Sequence, residues 1–95
     1  DHIPCVPYAT FGTHQLADYV REGIKESKAI LLAHHGLIAC ESNLDKALWL
    51  AHEVEVLATW YLQLLSTGLD IPLLNKDQMA VVLEKFKSYG LRIEE

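Results

Sequence analysis

The sequence of 95 residues is poor in basic side chains and lacks long apolar runs. Its 8 lysines and arginines stand against 13 aspartates and glutamates, for a formal net charge of -5. This balance argues against nucleic-acid binding, which needs a basic face. No apolar run reaches the roughly 18 residues of a membrane-spanning helix, and the N-terminus lacks the basic-then-apolar pattern of a signal peptide. We therefore predict a cytoplasmic protein that binds neither nucleic acid nor membrane.

Cysteine is also scarce, with only Cys5 and Cys40 present. They are too far apart for CxxC chemistry, and each lies in an apolar context. We therefore predict two buried free thiols in a reducing compartment. A disulfide or a redox role is the alternative interpretation.

Methionine is nearly absent, and the chain begins at Asp1 instead of at an initiator methionine. The first residues resemble the middle of a strand. The few short strands that follow need more sheet than this chain supplies. We therefore expect residues 1–95 to form one partial domain, cut from a longer one.

The hydrophobic fraction of 51% excludes a disordered tail. The predicted order of elements, a strand, a helix, two strands and two helices, is a mixed α/β pattern. Residues 2–8 are typical of an edge strand or loop, and Thr13 is a candidate N-cap for a first helix. Residues 29–33 and 37–40 predict two short antiparallel strands, joined by a tight turn in which Gly36 takes a positive φ. A single bent strand is the alternative.

Two further helices follow these strands. Ser42-Asn43 caps the longer one, while Asn75 and Gln78 form a capping-box pattern for the last, with Gly90 at its C-cap. An apolar stripe on the longer helix recurs every three or four residues and predicts a buried face: Leu44, Ala47, Leu48, Ala51, Val54, Ala58, Tyr61, Leu62 and Leu65.

Two adjacent histidines, His34 and His35, interrupt the apolar stretch AILLAHHGLIAC. Side chains of neighbouring strand residues point to opposite faces, so the pair cannot readily chelate one metal. A histidine at a hairpin tip is held rigidly and remains reachable, which suits a metal ligand or a general acid/base. The alternative is a pair of turn histidines with no chemical role.

No other motif completes a metal site. His52-Glu53 does not continue into HExxH, and His2 and His14 have no recognisable ligand spacing. Glu53 and Glu55 diverge on a helix, so we interpret them as surface or interface charges.

Three stretches, IPCVPYATFGT, LLAHHGLIACESNLDKALWLAHEVEVLA and AVVLEKFKSYGLRIEE, together resemble the C-terminal part of the class II aldolase/adducin family. The resemblance covers essentially the whole chain. It implies that family's α/β/α fold, with short antiparallel strands packed with about three helices. It also implies zinc-dependent, reversible aldol cleavage of L-fuculose 1-phosphate to dihydroxyacetone phosphate and L-lactaldehyde. A non-catalytic, adducin-like interaction module and a sibling sugar-phosphate epimerase or aldolase remain as alternatives.

The resemblance also implies roles for particular residues. Of three zinc-binding histidines, two belong to an HxH motif that this sequence lacks, and the third corresponds to His35. Tyr89 would lie over the active site, with Phe11 and Phe86 in its apolar surroundings. The catalytic groups would lie outside this sequence, so we expect the chain alone to be inactive. The family's homotetramer would give Trp49 and Trp60 a packing partner.

Overall fold

The computed structural model describes residues 2–87 of the chain. Within this range the elements follow the order β1 (Cys5–Val6), α1 (His14–Gly23), β2 (Ala29–Leu32), β3 (Gly36–Ala39), α2 (Leu44–Leu65) and α3 (Lys76–Phe86). This order confirms the predicted α/β class. None of the helices in the described range has the length and apolarity needed to cross a membrane.

The three strands form one mixed sheet in the order β1-β2-β3. The β2 and β3 strands pair antiparallel, with Ala29 opposite Ala39 and Leu32 opposite Gly36, as the hairpin prediction requires. The edge strand β1 instead pairs parallel to β2, with Cys5 opposite Leu31. Parallel neighbours need a crossover connection, and α1 supplies it.

Each helix begins at the polar cap that the sequence predicts. The Thr13 hydroxyl accepts from the Leu16 amide at 3.2 Å, and the Asn43 side chain accepts from the Lys46 amide at 2.9 Å. At α3, Asn75 accepts from the Gln78 amide at 2.8 Å, and the Gln78 side chain accepts from the Asn75 amide at 2.9 Å. These side chains satisfy amides that would otherwise lack a partner at the helix start.

The end of α3 differs from the prediction. The helix stops at Phe86 with Lys87 as its C-cap. Gly90, the predicted C-cap, lies outside the described residues.

The buried core lies between α1 and the sheet. Val6 and Ile30 are 7% and 0% exposed, and they lie beneath the C-terminal end of α1. A methyl group on Gly23 would sit 2.8 Å from a Val6 methyl and 3.1 Å from an Ile30 methyl. The close approach of α1 to the sheet therefore depends on a residue without a side chain.

The α2 helix lies against the other side of the sheet, and most of its apolar stripe is not buried. Only Val54 is buried, at 5%, whereas Leu48 and Leu62 are 71% and 68% exposed. A helix of 22 residues is about 33 Å long, and strands of four residues span only about 13 Å. The prediction of a buried stripe, Tyr61 included, is therefore wrong within this chain because the sheet is too short to cover it.

The cysteines also differ from the prediction. Both are free thiols, but Cys5 and Cys40 are exposed. Cys5 alternates with the buried Val6 on the edge strand. Its side chain therefore points away from the face of the sheet that α1 covers. Cys40 follows the last residue of β3.

An ion pair closes the open end of the hairpin. Lys28 Nζ lies 2.5 Å from Glu41 Oε2, and the Cys40 amide donates to the Lys28 carbonyl at 2.7 Å. The Lys28 hydrogen bond, and after it the Ser42 amide, lower the pKa of Glu41 below its ordinary value of 4.5. The carboxylate is thus held in its charged form where β3 leads into α2.

We predict that Gly23→Ala lowers the free energy of unfolding of the complete protein by about 1–3 kcal/mol, the usual cost of overpacking a core. Urea denaturation measures this change. The sign of this change in stability is informative, because alanine within a helix normally stabilises a protein relative to glycine. Gln15→Ala, at an exposed position of the same helix, serves as control and should change stability by less than about 0.5 kcal/mol. A Gly23→Ala protein as stable as wild type would contradict the close packing.

We predict that Glu41→Gln destabilises the complete protein at pH 7 and that this effect fades in acid. The folded pKa of Glu41 lies below its unfolded value. The ion pair therefore contributes fully above the unfolded pKa and is lost as pH falls through the folded one. Because Lys28 is 70% exposed, solvent screening keeps the contribution below about 1 kcal/mol. Unfolding free energies of both proteins between pH 7 and pH 3 test this; a difference that stays constant would refute it.

Candidate metal-ligand site at the hairpin tip

The turn between β2 and β3 consists of residues 33–35. The His35 amide donates to the Leu32 carbonyl at 2.9 Å, and His34 has a φ of 66°. A positive φ at the third position of such a turn normally requires glycine or asparagine. Gly36 has a φ of 156°, which confirms the predicted positive φ there. His34 additionally adopts the left-handed conformation, at a cost of about 1–2 kcal/mol for a residue with a side chain.

The His35 imidazole is oriented by the backbone of another segment. Its Nε2 lies 2.8 Å from the carbonyl oxygen of Ala9, and Ala9 is only 3% exposed. A carbonyl can only accept, so Nε2 is the donor in this contact. Metal-binding histidines typically donate their second ring N–H to such a carbonyl. The contact with Ala9 therefore holds the ring of this candidate ligand in one orientation.

Tyr8 contacts both histidines of the turn. Its ring is stacked on His35, with centroids 5.4 Å apart and planes inclined by 18°. It meets His34 edge-on, at 5.7 Å and 84°. In the sequence Tyr8 is only part of an extended segment, and the pattern around it does not predict this contact. The available signal was its place directly after an edge strand that pairs with the hairpin.

A cleft of about 480 Å³ opens beside the hairpin tip, between the sheet and α2. His34 and His35 line one side of it, and Val54, Glu55 and Ala58 of α2 line the other. Glu55 is exposed, as a surface charge should be, and it also brings a carboxylate to the same cleft as both histidines. The candidate ligand therefore faces a space that a small molecule can enter.

The other predicted site residues, as far as the structure describes them, do not line this cleft. Phe11 is 79% exposed in the loop that follows Ala9, and Phe86 is the last residue of α3. Tyr89 lies outside the described residues. A substrate-binding role for Phe11, Phe86 and Tyr89 therefore stays a prediction.

His35, the candidate ligand, has no complete ligand set around it in the part of the chain that the structure describes. Among residues 2–87, no three histidine, cysteine, aspartate or glutamate side chains form a group that could hold a metal ion. Structural and catalytic zinc sites use three or four protein ligands. Further ligands for a metal at His35 would therefore come from beyond these residues.

The layers and the hairpin define an α/β protein that presents an oriented histidine where two strands connect. The family model described as the class II aldolase and adducin N-terminal domain matches residues 1–62, and the chain belongs to this family. The match confirms the resemblance that the three sequence stretches indicate.

Several relatives match nearly the whole chain. An L-fuculose phosphate aldolase of Haemophilus influenzae is 81% identical over 95 residues, which are 100% of this chain and 44% of the relative. One of Escherichia coli K12 is 64% identical over 93 residues, or 98% of this chain and 43% of the relative. A 5-methylthioribulose-1-phosphate/5-deoxyribulose-1-phosphate aldolase of Escherichia coli O45:K1 is 52% identical over 92 residues, which are 97% of this chain and 43% of the relative. The chain thus spans less than half the length of these relatives.

We predict that His34→Val destabilises the complete protein by about 1–2 kcal/mol relative to His34→Asn, because asparagine tolerates the left-handed conformation and a β-branched residue does not. Both substitutions remove the imidazole that contacts Tyr8, so the difference between them isolates the backbone effect. Thermal or urea denaturation of the two variants measures it. Equal stability would be inconsistent with the left-handed turn.

Proposed function

We propose that the complete protein catalyses the reversible aldol cleavage of L-fuculose 1-phosphate to dihydroxyacetone phosphate and L-lactaldehyde. The identities of 81% and 64% to proteins named L-fuculose phosphate aldolase support this substrate. Membership of the class II aldolase and adducin family supports the reaction type. Residues 1–95 would form the C-terminal portion of the domain, and without the remainder they should be inactive.

The orientation of His35 is the observation that carries the proposal for this chain. Its Nε2 donates to the Ala9 carbonyl, and this contact fixes the direction of the ring. We assign it as one of three histidine ligands of a zinc ion, with the other two outside this sequence. Bound zinc supplies a Lewis acid that polarises the ketose carbonyl. The contribution of His35 and Ala9 is to hold one ligand position in place.

The apolar surroundings of the site would come from Phe11, Phe86 and Tyr89. Phe11 follows Ala9 by two residues, so their Cα atoms lie at most about 7 Å apart. Its ring is 79% exposed and free to contact a ligand. Two phenylalanines and a tyrosine suit the apolar end of a deoxysugar better than its phosphate.

We further propose a homotetramer in the cytoplasm. The exposed apolar residues of α2 support assembly, since a surface of this kind normally marks an interface; they include Leu44, Leu48, Trp60 and Leu62. Trp49, on the same helix, would pack at this interface with Trp60. The two free thiols support a reducing compartment.

A related substrate is the second candidate. The 52% identity to a 5-methylthioribulose-1-phosphate/5-deoxyribulose-1-phosphate aldolase favours it. Both candidates need the same carbonyl chemistry and differ in the sugar. The ratio of kcat/KM for L-fuculose 1-phosphate and 5-deoxyribulose 1-phosphate decides between them.

We predict that His35→Ala in the complete protein abolishes stoichiometric zinc binding and lowers the cleavage rate. The loss should exceed the roughly 10–100-fold that outer partners of a ligand contribute. Metal analysis and the release of dihydroxyacetone phosphate measure the two effects.

His52→Ala, an exposed histidine on α2, serves as the matched control and should leave both values unchanged. The isolated chain of 95 residues should show negligible turnover. Full zinc content and activity in the His35→Ala protein would rule out the assignment of His35, and robust turnover by the isolated chain would rule out its proposed partial role.

A further inference from the structure

The lining of the cleft beside the hairpin tip is apolar apart from four side chains. These are the thiol of Cys5, the imidazoles of His34 and His35 and the carboxylate of Glu55, whereas the rest of the described lining is leucine, valine, alanine and glycine. Sites for small molecules have this composition, since a few polar groups in an apolar cavity fix the orientation of a ligand. The volume of about 480 Å³ also lies within the usual range for such sites, about 300–1,000 Å³.

Two of these polar side chains lie on opposite walls of the cleft and are not accounted for by a metal. His34 belongs to the hairpin and Glu55 to α2. His35 is assigned to the metal, and a thiol such as Cys5 forms weak hydrogen bonds. His34 and Glu55 are therefore the groups that remain for hydrogen bonds to a substrate.

The backbone of His34 indicates that the imidazole at this position matters. Its φ of 66° is left-handed, a conformation that glycine adopts without steric cost. Non-glycine residues in such conformations cluster at ligand sites, where the surrounding structure maintains the strain. The Tyr8 ring contacts His34 edge-on at 5.7 Å and supports it from one side. The turn therefore keeps an imidazole on the wall of the cleft where glycine would suit the backbone better.

The Glu55 carboxylate is available to a ligand. The hydrogen bond recorded at this residue, from the Thr59 hydroxyl at 2.8 Å, goes to its backbone carbonyl. The ion pairs recorded among residues 2–87 join other carboxylates, and no lysine or arginine is among the described residues that line the cleft. A negative phosphate group would therefore be repelled here, whereas a hydroxyl group can donate to the carboxylate.

We propose that His34 and Glu55 bind hydroxyl groups of the sugar from opposite walls of the cleft, and that the phosphate of the substrate lies outside it. Glu55 accepts a hydrogen bond from one hydroxyl group. A hydroxyl group can both donate and accept, so the contact with His34 does not depend on which ring nitrogen carries the proton. The inference rests on the proposed function, because it assigns two binding residues for the sugar phosphate of that reaction.

Steady-state kinetics of the complete protein test the pair. Glu55→Gln keeps the size of the side chain and removes its charge, and His34→Asn keeps the left-handed turn and removes the imidazole. Each should raise KM for L-fuculose 1-phosphate by about 5- to 10-fold, as expected when one hydrogen bond to the substrate is weakened or lost. The kcat and the zinc content should stay close to wild type, because the contact is made before the transition state as well as in it.

Glu53→Gln is the matched control. Glu53 is a carboxylate on the same helix that does not line the cleft, so its substitution should leave KM unchanged.

Inhibition by inorganic phosphate locates the phosphate of the substrate. We expect the same inhibition constant in wild type and in Glu55→Gln, because the phosphate lies outside the cleft. A lower inhibition constant in Glu55→Gln would place the phosphate beside this carboxylate and overturn the proposed orientation.

Two kinetic results would overturn the binding role. One is an unchanged KM in either Glu55→Gln or His34→Asn. The other is a raised KM together with a lower zinc content and a lower melting temperature, which indicates a structural role.

A wild-type protein that does not cleave L-fuculose 1-phosphate would instead refute the proposed function. Calorimetry with the unphosphorylated sugar L-fuculose then decides the role of the cleft separately. Weaker binding to both variants than to wild type supports the inference, and equal binding or no binding refutes it.

Discussion

A parallel strand pair forms only when the intervening chain crosses over the sheet, and here the pairing of β1 with β2 brings the segment of Tyr8 and Ala9 to the hairpin. The register Cys5 to Leu31 and Val6 to Leu32 continues into the bond between Ala33 and Val6. The two residues that restrain His35 lie just beyond this bond. Without the pairing, a loop and a hairpin distant in sequence would have no reason to meet.

The crossover also explains the uneven burial of the sheet. Because α1 connects β1 to β2, it lies tightly over these strands, and Gly23 allows the contact with Val6 and Ile30. The other side is covered by α2 near Val54, and a cleft remains beside the hairpin tip. A tightly packed face thus provides a rigid support for a site that opens on the opposite face.

Local signals made the elements predictable, whereas contacts between distant segments were not. The caps at Thr13, Asn43 and Asn75 and the turn before Gly36 depend on neighbouring residues, so the sequence indicates them directly. The Tyr8 contact depends on strand pairing, which no local pattern specifies. The α2 stripe shows the converse error, because apolar periodicity predicts a buried face without indicating which surface covers it. The family resemblance singled out His35, but the orientation of its ring became visible only in the structure.

The distinction between His34 and His35 has a different cause from the one that the sequence indicates. Strand alternation predicts that adjacent side chains separate, but both residues belong to a turn. The left-handed backbone of His34 and the Tyr8 ring separate them instead. The restraint on the His35 ring matters for a metal site that is assembled from distant segments of a protein. A ligand whose ring is already restrained by its own surroundings loses little freedom when the remaining ligands engage, so its restraint strengthens the site as a whole.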